Sequence, residues 1–84
     1  MNLMLNLQEM TELFLQPAHT ETDGGYQGLL VGLQKRINRS TGQIALTAEE
    51  LERIPRYAFD YGNGGWENRL TAIFQRSLGP KLGR

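Results

Sequence analysis

The chain has no cysteine. Disulfide stapling, thiolate-held zinc and thiol catalysis are thereby excluded, and a reducing compartment, the cytoplasm, fits best. It has one histidine, His19, which leaves general-base and nucleophilic chemistry short of its commonest participant. Net charge is missing too. Nine Lys and Arg balance nine Asp and Glu, which argues against a protein held to DNA by bulk electrostatics. No apolar run approaches the roughly 20 residues that cross a bilayer. Residues 1–7 are apolar, but they have no basic flank and Gln8-Glu9 interrupts them, so neither a membrane span nor a secretory signal is expected. No low-complexity tract and no internal repeat is read from the sequence.

What is there is 84 residues with an ordinary apolar fraction of 39%. That suits one domain near the lower size limit of a single hydrophobic core. The most informative stretch is residues 47–78. Thr47 followed by Glu50 forms a capping box, in which the hydroxyl accepts from the third amide and the Glu reaches back. Leu51, Ile54, Ala58 and Tyr61 then mark the buried face of a helix over 48–61. Pro55 lies too deep to be a first-turn proline and should kink or split that helix. Gly62-Asn63-Gly64-Gly65 reads as a hinge, with Gly62 a left-handed stop. Trp66, Leu70, Ile73, Phe74 and Ser77 describe the inner side of a second helix over 66–78, which Gly79-Pro80 ends. The two make a C-terminal helical hairpin with Tyr57, Phe59, Tyr61 and Trp66 beside the hinge. Residues 79–84 are a basic tail.

Upstream, Leu3, Leu7, Met10 and Phe14 share one helical stripe that Leu13 widens. A helix over 3–15, within an amphipathic segment 1–16, is expected before Pro17. Residues 17–24 read as a loop. His19, Glu21 and Asp23 on it are a poor metal set without a second histidine, so no metal and no cofactor is expected. Asp23 is a candidate cap for a helix over 25–39, whose apolar positions Tyr26, Leu29, Leu30, Leu33 and Ile37 recur at helical spacing. Gly28 and Gly32 would each cost about 1 kcal/mol against alanine in that helix. Close packing of another backbone on that glycine strip would offset the cost. Ile44 and Leu46 are expected to tuck into the core in extended form, as a lone strand without a partner. The fold class expected is all-α, a single-domain bundle of about four helices. Its core should include Phe14, Leu29, Leu33, Ile37, Leu51, Ile54, Ala58, Trp66, Leu70, Ile73 and Phe74.

Function is less legible. Residues 1–24 carry four acids and no base, whereas residues 25–84 carry nine bases against five acids. Glu49, Glu50 and Glu52 read as a helix N-terminal charge cluster that the dipole favours, not as a catalytic carboxylate pair. Asp60, beside the aromatic hinge, is a single acid and defines no active site. The hinge matches neither of the phosphate-cradling glycine patterns, and no strand leads into it. The chain is therefore not expected to be an enzyme. The expected function is non-catalytic binding of a protein partner. Very small cysteine-free proteins of phage or mobile elements often work in this way, covering a surface of a larger host complex as anti-CRISPR proteins do; the analogy is one of size and composition. Candidate contact residues are Tyr26, Arg53, Arg56, Tyr57, Phe59 and Arg69, since Tyr, Trp and Arg are enriched among interface hot spots. A homodimer is a further expectation. The rival reading is a helix-turn-helix nucleic-acid binder using the helix over 66–78, with Asn68, Arg69, Gln75 and Arg76 as the reading side chains.

Overall fold

The computed structural model describes residues 1–83. Strand β1 (Asn2–Met4) leads into α1 (Leu7–Leu13), a short 3-10 turn (Ala18–Thr20) and α2 (Gly25–Arg36). Strand β2 (Gln43–Ala45) leads into α3 (Ala48–Phe59), α4 (Gly64–Leu78) and a second 3-10 turn (Gly79–Leu82). The protein is a small helical domain of four helices with a two-stranded sheet at one side.

The C-terminal hairpin forms as the sequence indicates. Thr47 and Glu50 make both bonds of the capping box, at 3.1 and 2.9 Å. Gly62 is left-handed at φ +65°. Asn63 caps α4 by accepting from the Trp66 amide at 3.1 Å. Gly64 and Gly65 thus belong to the first turn of α4 and not to a loop before it. The helix over 48–59 is continuous through Pro55 and is not split there. Its capping box and its close packing on α4 hold both sides of the lost hydrogen bond.

The helix expected over 3–15 is half its length. Residues 2–4 pair antiparallel with residues 43–45, Leu3 opposite Ile44, so the strand expected to be alone has its partner at the N-terminus. Alternation then buries Leu3 and exposes Met4. A second capping box, Asn6 with Glu9, restarts the chain as a helix at Leu7. This phase turns Leu7 outward, 76% exposed. The expected helix over 25–39 stops at Arg36 because Ile37 is extended, and Gly24, not Asp23, occupies its cap position.

The two halves repeat one another, which the reading of the sequence missed. Strand, helix, helix occurs twice in order, and the ladder is centred on the Leu3–Ile44 pair. On either side of it, Leu5 N donates to Gly42 O at 2.9 Å and Leu46 N donates to Met1 O at 2.7 Å. At matching intervals stand Asn6 and Thr47, Glu9 and Glu50, Leu13 and Ile54, Leu30 and Leu70, Leu33 and Ile73, Arg36 and Arg76. The motif Asp23-Gly24-Gly25-Tyr26 is matched by Asn63-Gly64-Gly65-Trp66. Equivalent positions approach across the relation: Tyr26 and Trp66 stack with ring centroids 4.5 Å apart. The chain is an approximate two-fold built from one polypeptide. It is not symmetric in its packing, since α4 lies closely on both α1 and α3 while α2 makes few close backbone approaches to either.

The core lies between the sheet and the helices. Leu13, Leu30, Leu33, Ile54, Leu70, Ile73, Phe74 and Leu82 are fully enclosed. Phe14, Leu51 and Trp66, expected in the core, sit at its margin and stay partly accessible. The glycine strip of α2 is not a helix seam. A Cβ at Gly28 would meet the Glu21 carbonyl at 3.0 Å, whereas one at Gly32 would meet nothing within 4 Å.

Candidate functional site

Two arginines, one from each half, clamp the opposite half. Arg76 donates to both Glu9 oxygens, at 2.7 and 3.0 Å, and to the Met4 carbonyl at 2.6 Å. Arg36 donates to Glu50 and to the Ala45 carbonyl, each at 2.7 Å. Each guanidinium thus joins a capping-box glutamate to the outer carbonyl of a strand, which also blunts the open sheet edge. Burial raises the Glu9 carboxyl, but bonds from Arg76 and the Asn6 amide outweigh it and hold the pKa below the ordinary value. The bond from Arg36 lowers Glu50 in the same way, over the opposing effect of burial. All of this is structural chemistry. Each carboxylate accepts bonds both from its capping-box amide and from the arginine.

The same clamps decide where the candidate nucleic-acid residues stand. Arg76 is held by Glu9 and Met4, and Arg69 Nη1 donates to Gln16 Oε1 at 3.1 Å. Asn68, Gln75 and Arg76 are exposed and Arg69 is half-buried, and both arginines are held by groups of the first half. Lys35, Arg36, Arg53, Arg56 and Arg76 each pair with a glutamate, so the basic excess of residues 25–84 is largely neutralised locally.

The residues expected to contact a protein are divided. Tyr26, expected at the surface, is 3% exposed. Its stack with Trp66 and an edge contact with Tyr57 account for this. Burial raises its hydroxyl pKa over the lowering effect of Arg69. Tyr57 is half-buried in the same cluster, and its hydroxyl lies so close to Gly25 that a side chain there would overlap it. Tyr61 stacks on Tyr57 at 5.3 Å and is exposed. Arg53 and Arg56 are on the outer face of α3, paired with Glu49 and Glu52. Phe59 is half-buried beside Pro55 in a shallow cleft of about 340 Å³. Asp60 is exposed at the end of α3. His19 is exposed in the first 3-10 turn, and no cluster of metal-ligating side chains exists among the described residues. Nor, among them, is any helix long and apolar enough to cross a membrane.

An apolar surface lies on the first half, where a helical stripe through Leu7 was expected. Met1, Met4, Leu7 and Leu15 are all exposed, Leu15 at 55%. Leu7 and Leu15 flank a shallow groove of about 450 Å³, lined also by Met10, Thr11, Phe14 and Arg39. The Arg39 guanidinium lies 4.5 Å from the Phe14 ring centroid and has no carboxylate partner among the described residues. On the second half Ala45 stands for Met4, Ala48 for Leu7 and Arg56 for Leu15, while Leu51 stands for Met10 and Pro55 for Phe14. That contrast between the halves was the signal available in the sequence. Comparison with protein-family models, curated proteins and solved structures finds no match.

Proposed function

We propose that the chain is a non-catalytic protein-binding module whose docking surface is the apolar face of β1 and α1. The observation that carries this reading is the concentration of exposed Met4, Leu7 and Leu15 on one half, where the other half has Ala45, Ala48 and Arg56. A small protein keeps such exposed apolar side chains in water at the expense of solubility, and large exposed apolar patches mark interaction sites. Phe14, half-buried with Arg39 over its ring, supplies the aromatic and cationic anchor found at interface hot spots. The functional surface is thus moved from the Tyr26–Arg69 set to residues 4–15 and Arg39. Covering part of a larger host complex remains the mode that size and composition suggest.

The test is retention of a partner from lysate of the host organism on the immobilised chain. Leu7→Ser with Leu15→Ser should abolish retention while leaving the melting transition in place, because both side chains are already in water. Undiminished retention by the double variant would overturn this reading.

A further inference from the structure

Asn63 is the chain's one asparagine followed by glycine; Asn2, Asn6, Asn38 and Asn68 precede leucine or arginine. That pair carries its own chemistry. The amide nitrogen after an asparagine can attack the carboxamide carbon, and a glycine, having no Cβ, leaves the approach unobstructed. Both reacting groups stand in water, since Asn63 and Gly64 are exposed. The Gly64 N–H, the first of α4, makes no hydrogen bond among the described residues. What restrains the pair is the fold. Asn63 Oδ1 accepts from the Trp66 amide at 3.1 Å, and the Asn63 carbonyl accepts from the Glu67 amide at 3.0 Å. Its ψ of 102° turns the Gly64 nitrogen away from the Asn63 side chain, so the first turn of α4 must open before attack. That turn begins with two glycines, each about 1 kcal/mol worse than alanine in a helix, and helix ends are where local opening is easiest. Against opening stands Trp66, stacked on Tyr26 of the first half at 4.5 Å.

We infer that Asn63 is a site of spontaneous deamidation, gated by the docking of Trp66, whose isoaspartyl product removes the cap of α4. The Gly64 nitrogen, losing its proton to solvent, bonds to Asn63 Cγ; the Cγ–Nδ2 bond breaks and its electron pair leaves with ammonia. Water then opens the cyclic succinimide. Cleavage at Cγ gives aspartate. Cleavage at the main-chain carbonyl carbon gives isoaspartate, with the chain rerouted through Cβ and Cγ. One water enters, one ammonia leaves, and nothing is oxidised. Aspartate keeps an oxygen for the Trp66 amide and adds a negative charge that a helix N-terminus favours. Isoaspartate lengthens the main chain just before α4 and takes the cap away, which loosens the Tyr26–Trp66 contact joining the two halves. The first half carries an acid at the equivalent place, in Asp23-Gly24-Gly25-Tyr26. A carboxylate is a far poorer target for attack than a carboxamide, so Asp23 serves as an internal control.

The full chain is held at mildly alkaline pH and sampled by peptide mass spectrometry that separates aspartate from isoaspartate. Residue 63 should convert mainly to isoaspartate, several-fold more slowly than in the same chain kept in denaturant, while Asp23 stays unchanged. Trp66→Leu should raise the folded rate several-fold. If circular dichroism finds that variant unfolded, denaturant below the melting transition takes its place and should raise the rate likewise. Gly64→Ala should slow conversion in both states; its Cβ would meet nothing within 4 Å and its φ is not positive, so the fold accepts it. Emission from the chain's single tryptophan should shift to the red in step with isoaspartate, whereas Asn63→Asp, made directly, should leave it in place. An Asn63 that stays intact in the folded chain while the denatured chain converts would overturn the inference. So would equal rates in the two states, a rate indifferent to the loosening of Trp66, equal conversion at Asp23, or emission unmoved by isoaspartate.

Discussion

The two halves of the molecule share one plan, strand, capped helix and long helix, yet they close differently. The second half is the more enclosed: α3 and α4 pack closely, and Phe74 and Leu82 are fully buried. The first half has Gln34 where the second has Phe74, and a short α1 in place of the longer α3. Gln34 Nε2 donates to the Leu13 and Gln16 carbonyls at 3.0 and 2.7 Å, satisfying the end of α1 that has no following turn of helix. One half is stabilised chiefly by apolar enclosure, the other by buried hydrogen bonds and an apolar surface still open. In a repeated unit that differs in this way, apolar enclosure is concentrated in one copy and exposed apolar side chains in the other.

The contrast is broken most severely at its equivalent interior pair. Phe74→Ala should lose about 3–5 kcal/mol through the cavity it leaves, enough to unfold much of a domain this small. Gln34→Ala should lose less, roughly 1–3 kcal/mol, from two buried carbonyls left unpaired. Denaturant melts followed by circular dichroism compare them directly. A larger loss for Gln34→Ala would invert the assignment of which half carries stability.

The clamps give a second, smaller comparison. Both Glu9 and Glu50 titrate lower in the folded chain than in the unfolded one. The unfolded state therefore binds more protons in acid, and the stability these groups contribute is complete above the ordinary glutamate value of roughly 4.3 and lost as pH falls through their depressed folded values. Glu9→Gln and Glu50→Gln should each flatten the acid limb of a melting-temperature profile. Glu9 should have the larger effect at neutral pH because it is the more enclosed of the two. Profiles indistinguishable from the unmodified chain below pH 5 would rule out the clamps as its source.

The gentlest change copies one half into the other. Gly32 stands where α4 has Ala72, and a Cβ there meets nothing. Gly32→Ala should stabilise by about 0.5–1 kcal/mol through helix propensity alone. A destabilised variant would mean that α2 approaches α3 more closely in solution than its open cleft suggests.

Much of this was open to reading from the chain. The capping box at Thr47, the left-handed Gly62, the hairpin and the buried Ile54, Ala58, Leu70, Ile73 and Phe74 all form where local spacing puts them, as do Leu29 and Leu33 in α2, whereas Tyr61, expected on the buried face of α3, lies past its end and is exposed. The repeat was legible as well, in the paired Gly-Gly-aromatic motifs and the paired Leu-(Asn/Thr)-x-x-Glu boxes. Its identities are few because only the caps, the arginine clamps and the inward apolar positions are shared. The exposure of Leu7 was not legible for one reason: helical spacing places Leu3 and Leu7 on the same stripe, whereas Leu3 lies in a strand and Leu7 starts a helix.

The sequence by itself determined the features whose physics closes within a turn or two of chain. Caps, glycine stops and 3.6-residue apolar spacing involve near neighbours, so no distant residue is needed to decide them. Only the tertiary structure decided that residues 2–4 are a strand, because a three-residue strand has no stability until a partner supplies its hydrogen bonds, and that partner is β2, far along the chain. From that pairing follow the restart of the helix at Asn6, the exposure of Leu7 and Leu15, and the enclosure of Tyr26 against Trp66. Local pattern is silent on each of these, since which face of a helix meets water depends on what packs against it.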